Sequence, residues 1–350
     1  MTKRKPDRRA TAAPLPDMDL TADLDRIIRE QFDKSGVSYD ESTQVRDLAA
    51  SYFEMLNRRV DPRPRRVHFS KELSESLGRL RTGTDPNQER KAADAWAAVF
   101  KIRHLMVRGR NVNAFLHKRI KSATGPRSRD GMLWDFGMHH FHLSTESHSS
   151  GFVRRSDFLL FAVLTDEDAY FVDLKRHPPT ANDVGWSQQE LLQTVQANWP
   201  ELTEPRKLCG VKGDAWTDQE RAALRTKNAN VVTDLDGHAV GPLGGGLTAA
   251  GSSILCRRLA DELMHETERH QEYFDTPPPE LRPALQNRGM ATNGKMEFDL
   301  VLLGELGLSK EDLDSLGDEH CFSKKLCELG FAVVERTTRC PIAVNCVREE

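Results

Sequence analysis

The stretch Asp157-Phe158-Leu159-Leu160-Phe161-Ala162-Val163-Leu164-Thr165-Asp166-Glu167-Asp168-Ala169-Tyr170-Phe171-Val172-Asp173-Leu174-Lys175 decides the fold. Residues 157–164 and 170–174 are apolar, aromatic and β-branched, and the polar Thr165-Asp166-Glu167-Asp168 separates them. Two strand-like runs around a short polar turn read as a β-hairpin. Working upstream, residues 132–143 are also aromatic-rich and bounded by turn residues, and they read as a further extended segment. The chain therefore carries an antiparallel sheet.

Helical spacing surrounds that sheet. Leu24, Ile27, Ile28 and Phe32 form a stripe within residues 20–32, and Val45, Leu48, Ala49, Tyr52, Phe53 and Leu56 form a second within 42–59. Pro62 and Pro64 stop that helix. Val67-His68-Phe69 reads as a short extended piece, and Ser70 as the cap of a helix through Leu80. Residues 85–121 read as a long helical region broken near Gly109. Downstream, Ser187-Gln188-Gln189-Glu190 and Thr217-Asp218-Gln219-Glu220 fit capping boxes. Residues 230–240 read as a second hairpin turning at Asp236-Gly237. A glycine-rich loop, 241–251, leads to a helix capped by Ser252 or Ser253, and Pro277-Pro278-Pro279 forms a stiff linker. The remainder suggests a β-α-α-β-β order. The fold expected is α+β: a helical N-terminal region, then a mainly antiparallel sheet with flanking helices. The division expected is a disordered basic tail (1–20), a helical basic region (21–130), an α+β core with the site (131–276) and a small α/β C-terminal module (280–350).

Composition narrows the function classes. No run of about 18 apolar residues is present, so no membrane span is expected. The basic N-terminus lacks an apolar signal segment, and the six cysteines show no C-x-x-C pair, as expected of a cytoplasmic chain. The net charge of −3 conceals strong clustering: residues 101–129 hold nine Lys/Arg and no Asp or Glu. Arg58, Arg59, Arg63, Arg65 and Arg66 form a second cluster, and the N-terminal tail a third. Clustered cations attract phosphate backbones, so nucleic acid is the expected partner. Lys101, Arg103, Arg108, Arg110, Lys118, Arg119, Lys121 and Arg154 are the residues expected to contact it.

Two constellations carry candidate chemistry. In Trp134-Asp135-Phe136-Gly137-Met138-His139-His140-Phe141-His142-Leu143, strand alternation puts His140 and His142 on one face and His139 and Phe141 on the other. Two imidazoles on one face suit a metal or paired acid and base work, because histidine titrates near neutrality. In the hairpin, a turn centred near Asp166 places Lys175 opposite Asp157, with Asp173 on the face of Lys175. Two carboxylates and a lysine can hold a divalent ion and orient water. The glycine loop lacks the Gly-Lys-Ser/Thr of a phosphate-binding loop and reads as a tight turn. His265 and His270, five apart, read as surface residues.

The Asp157…Asp173-x-Lys175 pattern is similar to that of the PD-(D/E)xK nuclease superfamily, in which an acid precedes a hairpin and a D/E-x-K lies on its second strand. That resemblance implies magnesium on Asp157 and Asp173 with Lys175 orienting water. Residues 134–143, 156–162 and 186–200 together resemble a family of uncharacterised bacterial proteins, which implies that they belong to one unit. The leading expectation is a nuclease acting on RNA or DNA, of a bacterial toxin or defence type. It would work either with magnesium or, without metal, through His140 and His142 with Arg154 or Lys175 on the phosphorane. The alternatives are a nucleic-acid-binding protein without turnover, and a small-molecule metallohydrolase using the H-x-H pair.

Overall fold

A computed structural model describes residues 18–80, 86–124, 129–177, 188–277, 279, 281–287, 296–308, 324–339 and 341–342. The chain is α+β. It divides into two compact units, Gln31–Asp261, and Met1–Glu30 together with Glu262–Glu350. The expected tail lies almost wholly outside the described residues, and Leu20 already opens helix α1 (Leu20–Lys34).

The larger unit is built on a four-stranded sheet of order β1-β4-β3-β2. Its strands are β1 (Arg66–Phe69), β2 (Met138–His142), β3 (Phe158–Leu164) and β4 (Asp168–Arg176). β2, β3 and β4 pair antiparallel, whereas β1 runs parallel to β4. β1, the short extended piece expected around Val67-His68-Phe69, is thus an edge strand of this sheet although it precedes residue 130. β3 is apolar throughout rather than alternating because both of its faces are covered. On one face α3 (Lys71–Leu80) and α4 (Pro86–Val107) bring Leu73, Leu77, Val99, Ile102 and Met106 against Phe141, Leu160 and Phe171. On the other, α6 (Glu190–Asn198) brings Leu191, Leu192 and Val195 against Met138, Leu159, Phe161 and Val172. Fully burying one such side chain stabilises by roughly 1.5–3 kcal/mol.

Three local expectations need correction. Residues 132–136 are not extended: α5 (Gly131–Phe136) is helical, because Asp130 Oδ1 accepts the Leu133 N–H (3.1 Å) and Gly137, at φ 68°, ends the turn. Strand alternation therefore begins only at Met138. In the hairpin, Phe161 faces Asp173 and Ala162 faces Phe171, so Val172 is an inserted residue. With the turn between Asp166 and Glu167, this insertion pairs Lys175 with Leu159, not Asp157, and it is His177 whose N–H donates to the Asp157 carbonyl (2.7 Å). The helical region 85–121 is α4 followed by two short 3₁₀ turns, Asn113–Phe115 and Lys118–Lys121.

Elsewhere in this unit α2 (Val45–Arg58) forms where the periodicity places it, and α7 (Asp218–Thr226) follows the Thr217/Glu220 capping box, which is present. The Ser187 cap falls outside the described residues. β5 (Thr233–Leu235) and β6 (His238–Val240) turn through Asp236 and Gly237, both at positive φ. The glycine loop packs back on α5: Gly244 N–H donates to Asp135 O (3.3 Å) and Gly246 N–H to Trp134 O (2.8 Å). Beyond it α8 (Ile254–Asp275) begins, with Ser253 Oγ accepting from Cys256 N–H.

The smaller unit holds an antiparallel sheet, β7 (Phe298–Leu302), β8 (Phe331–Glu335) and β9 (Pro341–Ile342), in that order. Helix Lys324–Glu328 supports it, while residues 309–316, expected to be helical, lie outside the described residues. His270 is not a surface residue: it is 3% exposed, with Nδ1 against the Glu266 carbonyl. Among the described residues no helix is long and apolar enough to cross a membrane.

Candidate functional site

The site forms where the β2 edge of the sheet meets five other pieces of chain. β2 supplies His139 and His140. The 3₁₀ turn Lys118–Lys121 and the residue before it supply His117 and Arg119. Arg58 comes from the end of α2, Asp130 from the cap of α5, and Arg225 from the last turn of α7. Arg155 and His177 flank the β3–β4 hairpin. Arg129 completes a cavity of about 420 Å³ lined by five guanidiniums, four imidazoles and a single carboxylate.

Each of several side chains is fixed by a local cause. Arg58 is buried and donates to Glu54 O (3.2 Å), Arg119 O (3.1 Å) and Ser122 O (2.7 Å), tying the 3₁₀ turn to α2. His117 Nδ1 accepts the Arg119 N–H (3.0 Å), which leaves Nε2 as the protonated nitrogen of the neutral ring. Arg155 Nη2 donates to His177 Nδ1 (3.3 Å), with the same consequence. Arg225 is held by Asp135 (2.6 Å) and lies 4.6 Å over the Phe136 ring. Asp135 also takes Arg221, which is 1% exposed and donates to Thr233 Oγ1 as well.

His142 sits behind this cavity rather than in it. Its ring is stacked on His177 at 5.5 Å, lies 5.8 Å from His117 and 6.5 Å from His140, and its buried Nδ1 has no hydrogen-bond partner among the described residues. Burial, with the charge of neighbouring groups added, pushes His142 down to about 3 and His117 down to about 4. Burial likewise lowers His139 to about 4, opposed by Asp130, and lowers His140. Burial thus favours the neutral form of His117, His139, His140 and His142.

The structure places the sequence-derived residues in two groups. His140 and Arg119 line the cavity, with His142 directly behind. The acidic set does not assemble. Asp157 bonds Lys91 (2.7 Å), while Asp173 bonds Ser76 (2.8 Å) and Lys175 (2.8 Å), whose ammonium also reaches Glu190 (2.8 Å). Among the described residues no three His, Cys, Asp or Glu side chains are disposed to hold a metal ion. The donors present thus do not fit magnesium on Asp157 and Asp173, and Lys175 is committed to two carboxylates. Arg154 pairs with Glu146 (3.1 Å), and its neighbour Arg155 lines the cavity instead. Lys101, Arg103, Arg108, Arg110, Lys118 and Lys121 are exposed but do not line it.

Sequence reasoning missed His117, Asp130, His139, His177, Arg58, Arg155 and Arg225 as site residues. The composition does carry one signal for them, the repeated coupling of histidine to arginine in His117-Lys118-Arg119 and Arg176-His177. Arg225 has no local signal, since α7 reaches the cavity only through tertiary packing. Comparisons with protein-family models, with curated proteins and with solved structures return no match.

Proposed function

We propose that the chain is a metal-independent nuclease that cleaves RNA, with DNA as a second ligand, in the histidine–arginine cavity. One observation carries this reading: four imidazoles and five guanidiniums line the same 420 Å³ space with one carboxylate. Such a set binds phosphate and offers groups that move protons beside it. His140 is the base. In its neutral form it takes the proton of a ribose 2′-OH as the 2′-oxygen bonds to phosphorus. His117 is the acid: protonated to imidazolium when phosphate binds and its Nδ1 releases the Arg119 N–H, it gives its Nε2 proton to the leaving 5′-oxygen as the P–O5′ bond breaks, leaving a neutral Nδ1–H ring, a 2′,3′-cyclic phosphate and a 5′-hydroxyl. A bound phosphate adds the negative charge that favours imidazolium at His117, offsetting part of the cost of its burial. Arg119, Arg155 and Arg225 stabilise the phosphorane. His142 positions His117 and His177 by packing.

Labelled RNA and DNA incubated with and without EDTA, beside His140→Ala and His117→Ala, test this. The expected result is RNA cleavage that persists in EDTA and falls about 100-fold or more in each variant. Cleavage abolished by EDTA, or unchanged in His140→Ala, sinks it.

A second reading is binding without turnover. The neutrality that burial imposes on His117, His139 and His142 favours it, because a neutral imidazole is a poor acid. It predicts salt-sensitive binding with no product.

A further inference from the structure

The cavity is better matched in charge and shape to the end of a strand than to its interior. It draws its lining from α2, the 3₁₀ turn, the α5 cap, β2, the hairpin base and α7, and these converge on one compact space. Its volume of about 420 Å³ lies near the lower end of the span typical of small-molecule pockets, roughly 300–1,000 Å³. That space suits about one nucleotide.

Charge gives the second argument. The lining guanidiniums exceed the lining carboxylate by four. An internal phosphodiester carries one negative charge, whereas a phosphate monoester carries about −1.5 to −2 at pH 7. Arg225 is balanced by Asp135, but Arg58, Arg119, Arg129 and Arg155 make no ion pair with a carboxylate among the described residues. Arg58 is the telling member. It is 3% exposed, and its nitrogens reach only backbone carbonyls. Asp130 and Glu54 attract it at longer range, yet burial still disfavours its charge, and a multiply charged anion in the pocket offsets that cost.

The surroundings give the third. Lys118 and Lys121, on the turn that carries Arg119, are exposed and stand outside the pocket. They offer a path for the phosphates that follow a terminal one.

We propose that the pocket is the receptor for a phosphate monoester at the end of a single-stranded nucleic acid. This rests on reading the cavity as a phosphate site; it does not require that the site cleave. The phosphate would sit against Arg58, Arg119 and Arg155, with the first nucleotide filling the remaining space.

The test uses one short, non-cleavable single-stranded sequence in four forms: 5′-phosphorylated, 3′-phosphorylated, hydroxyl at both ends, and closed into a circle. Binding to the full chain is read by fluorescence anisotropy, with a nucleoside monophosphate as competitor. One phosphorylated form is expected to bind at least about tenfold more tightly than the hydroxyl-ended form, equivalent to roughly 1.4 kcal/mol. That preference should vanish in the Arg119→Ala/Arg155→Ala double variant, both residues being exposed and so compatible with folding. Equal affinity for the phosphorylated and circular forms overturns the proposal. A monophosphate that competes as well as the strand overturns the strand-end part and leaves a nucleotide pocket. The outcome is separable from the nuclease reading: a cleavable circle cut as fast as a linear strand removes end recognition alone, while tight end binding without cleavage removes the nuclease alone.

Discussion

Asp135 illustrates what one residue holds in place. Its carboxylate is the anion for both Arg221 and Arg225, and the two guanidiniums lie over the same Phe136 ring. Asp135→Ala leaves Arg221 buried and without its counter-charge, at a cost of about 3–5 kcal/mol. Urea denaturation should show that loss, and a midpoint unchanged from the parent would contradict it. The buried imidazoles give a second residue-scale prediction. His117 and His139, near 4, and His142, near 3, are neutral in the folded chain at pH values where an unfolded histidine, titrating near 6.5, binds a proton. The unfolded state therefore holds more protons across that window, and stability rises with pH through it. The stabilisation is complete above about pH 6.5 and is lost as pH falls toward 4 and then 3. Denaturation midpoints measured from pH 7 to pH 4.5 should decline, and His142→Gln should flatten the slope.

At the scale of the element, the glycine loop and α5 act as one piece. A Cβ on Gly244 would fall on the Leu133 carbonyl oxygen and 2.6 Å from the Trp134 carbonyl carbon, so the loop would have to leave α5. Gly244→Ala should destabilise by roughly 2 kcal/mol or more. Gly241→Ala, whose nearest neighbour is the Arg206 carbonyl at 3.8 Å, should be almost silent in the same thermal melt. The loop was legible as a tight turn, since Gly245 and Gly246 take the positive φ that glycine permits. Its packing partner was not legible. Helix α7 offers the companion case: Thr217→Ala removes the cap seen in the sequence and should cost about 1 kcal/mol. If α7 positions Arg225, the same variant should also weaken phosphate binding.

Across the whole molecule, charge is distributed rather than abundant. A chain of net charge −3 can bind a polyanion only through local clusters, so its binding should weaken steeply with salt. For a single-stranded ligand, each arginine removed from a phosphate contact should reduce the slope of log K against log salt by roughly 0.7. Arg155→Ala should show that reduction, whereas Arg154→Ala, already paired with Glu146, should not. Equal slopes for the two variants would falsify the placement of phosphate in this cavity.

The sequence by itself determined the local structure: the β3–β4 hairpin, the Asp236-Gly237 turn, the α7 cap and the apolar stripes of α2 and α6. These depend on neighbours within a few residues, where periodicity and capping chemistry act. It also marked His140 and Arg119, because clustered imidazoles and an acid-free basic segment stand out in composition. It misplaced Lys175 by two positions, because the turn falls between Asp166 and Glu167 and Val172 inserts a further residue, and a bulge leaves no mark in an apolar run. Only the tertiary structure decided that β1 joins the core sheet, that Asp157 turns to Lys91, and that Arg58, Asp130, His177 and Arg225 meet at one edge. Those residues are separated by tens of positions, and they are tied there by tertiary contacts, Arg58 to the carbonyls of the 3₁₀ turn and Arg225 to Asp135 of α5.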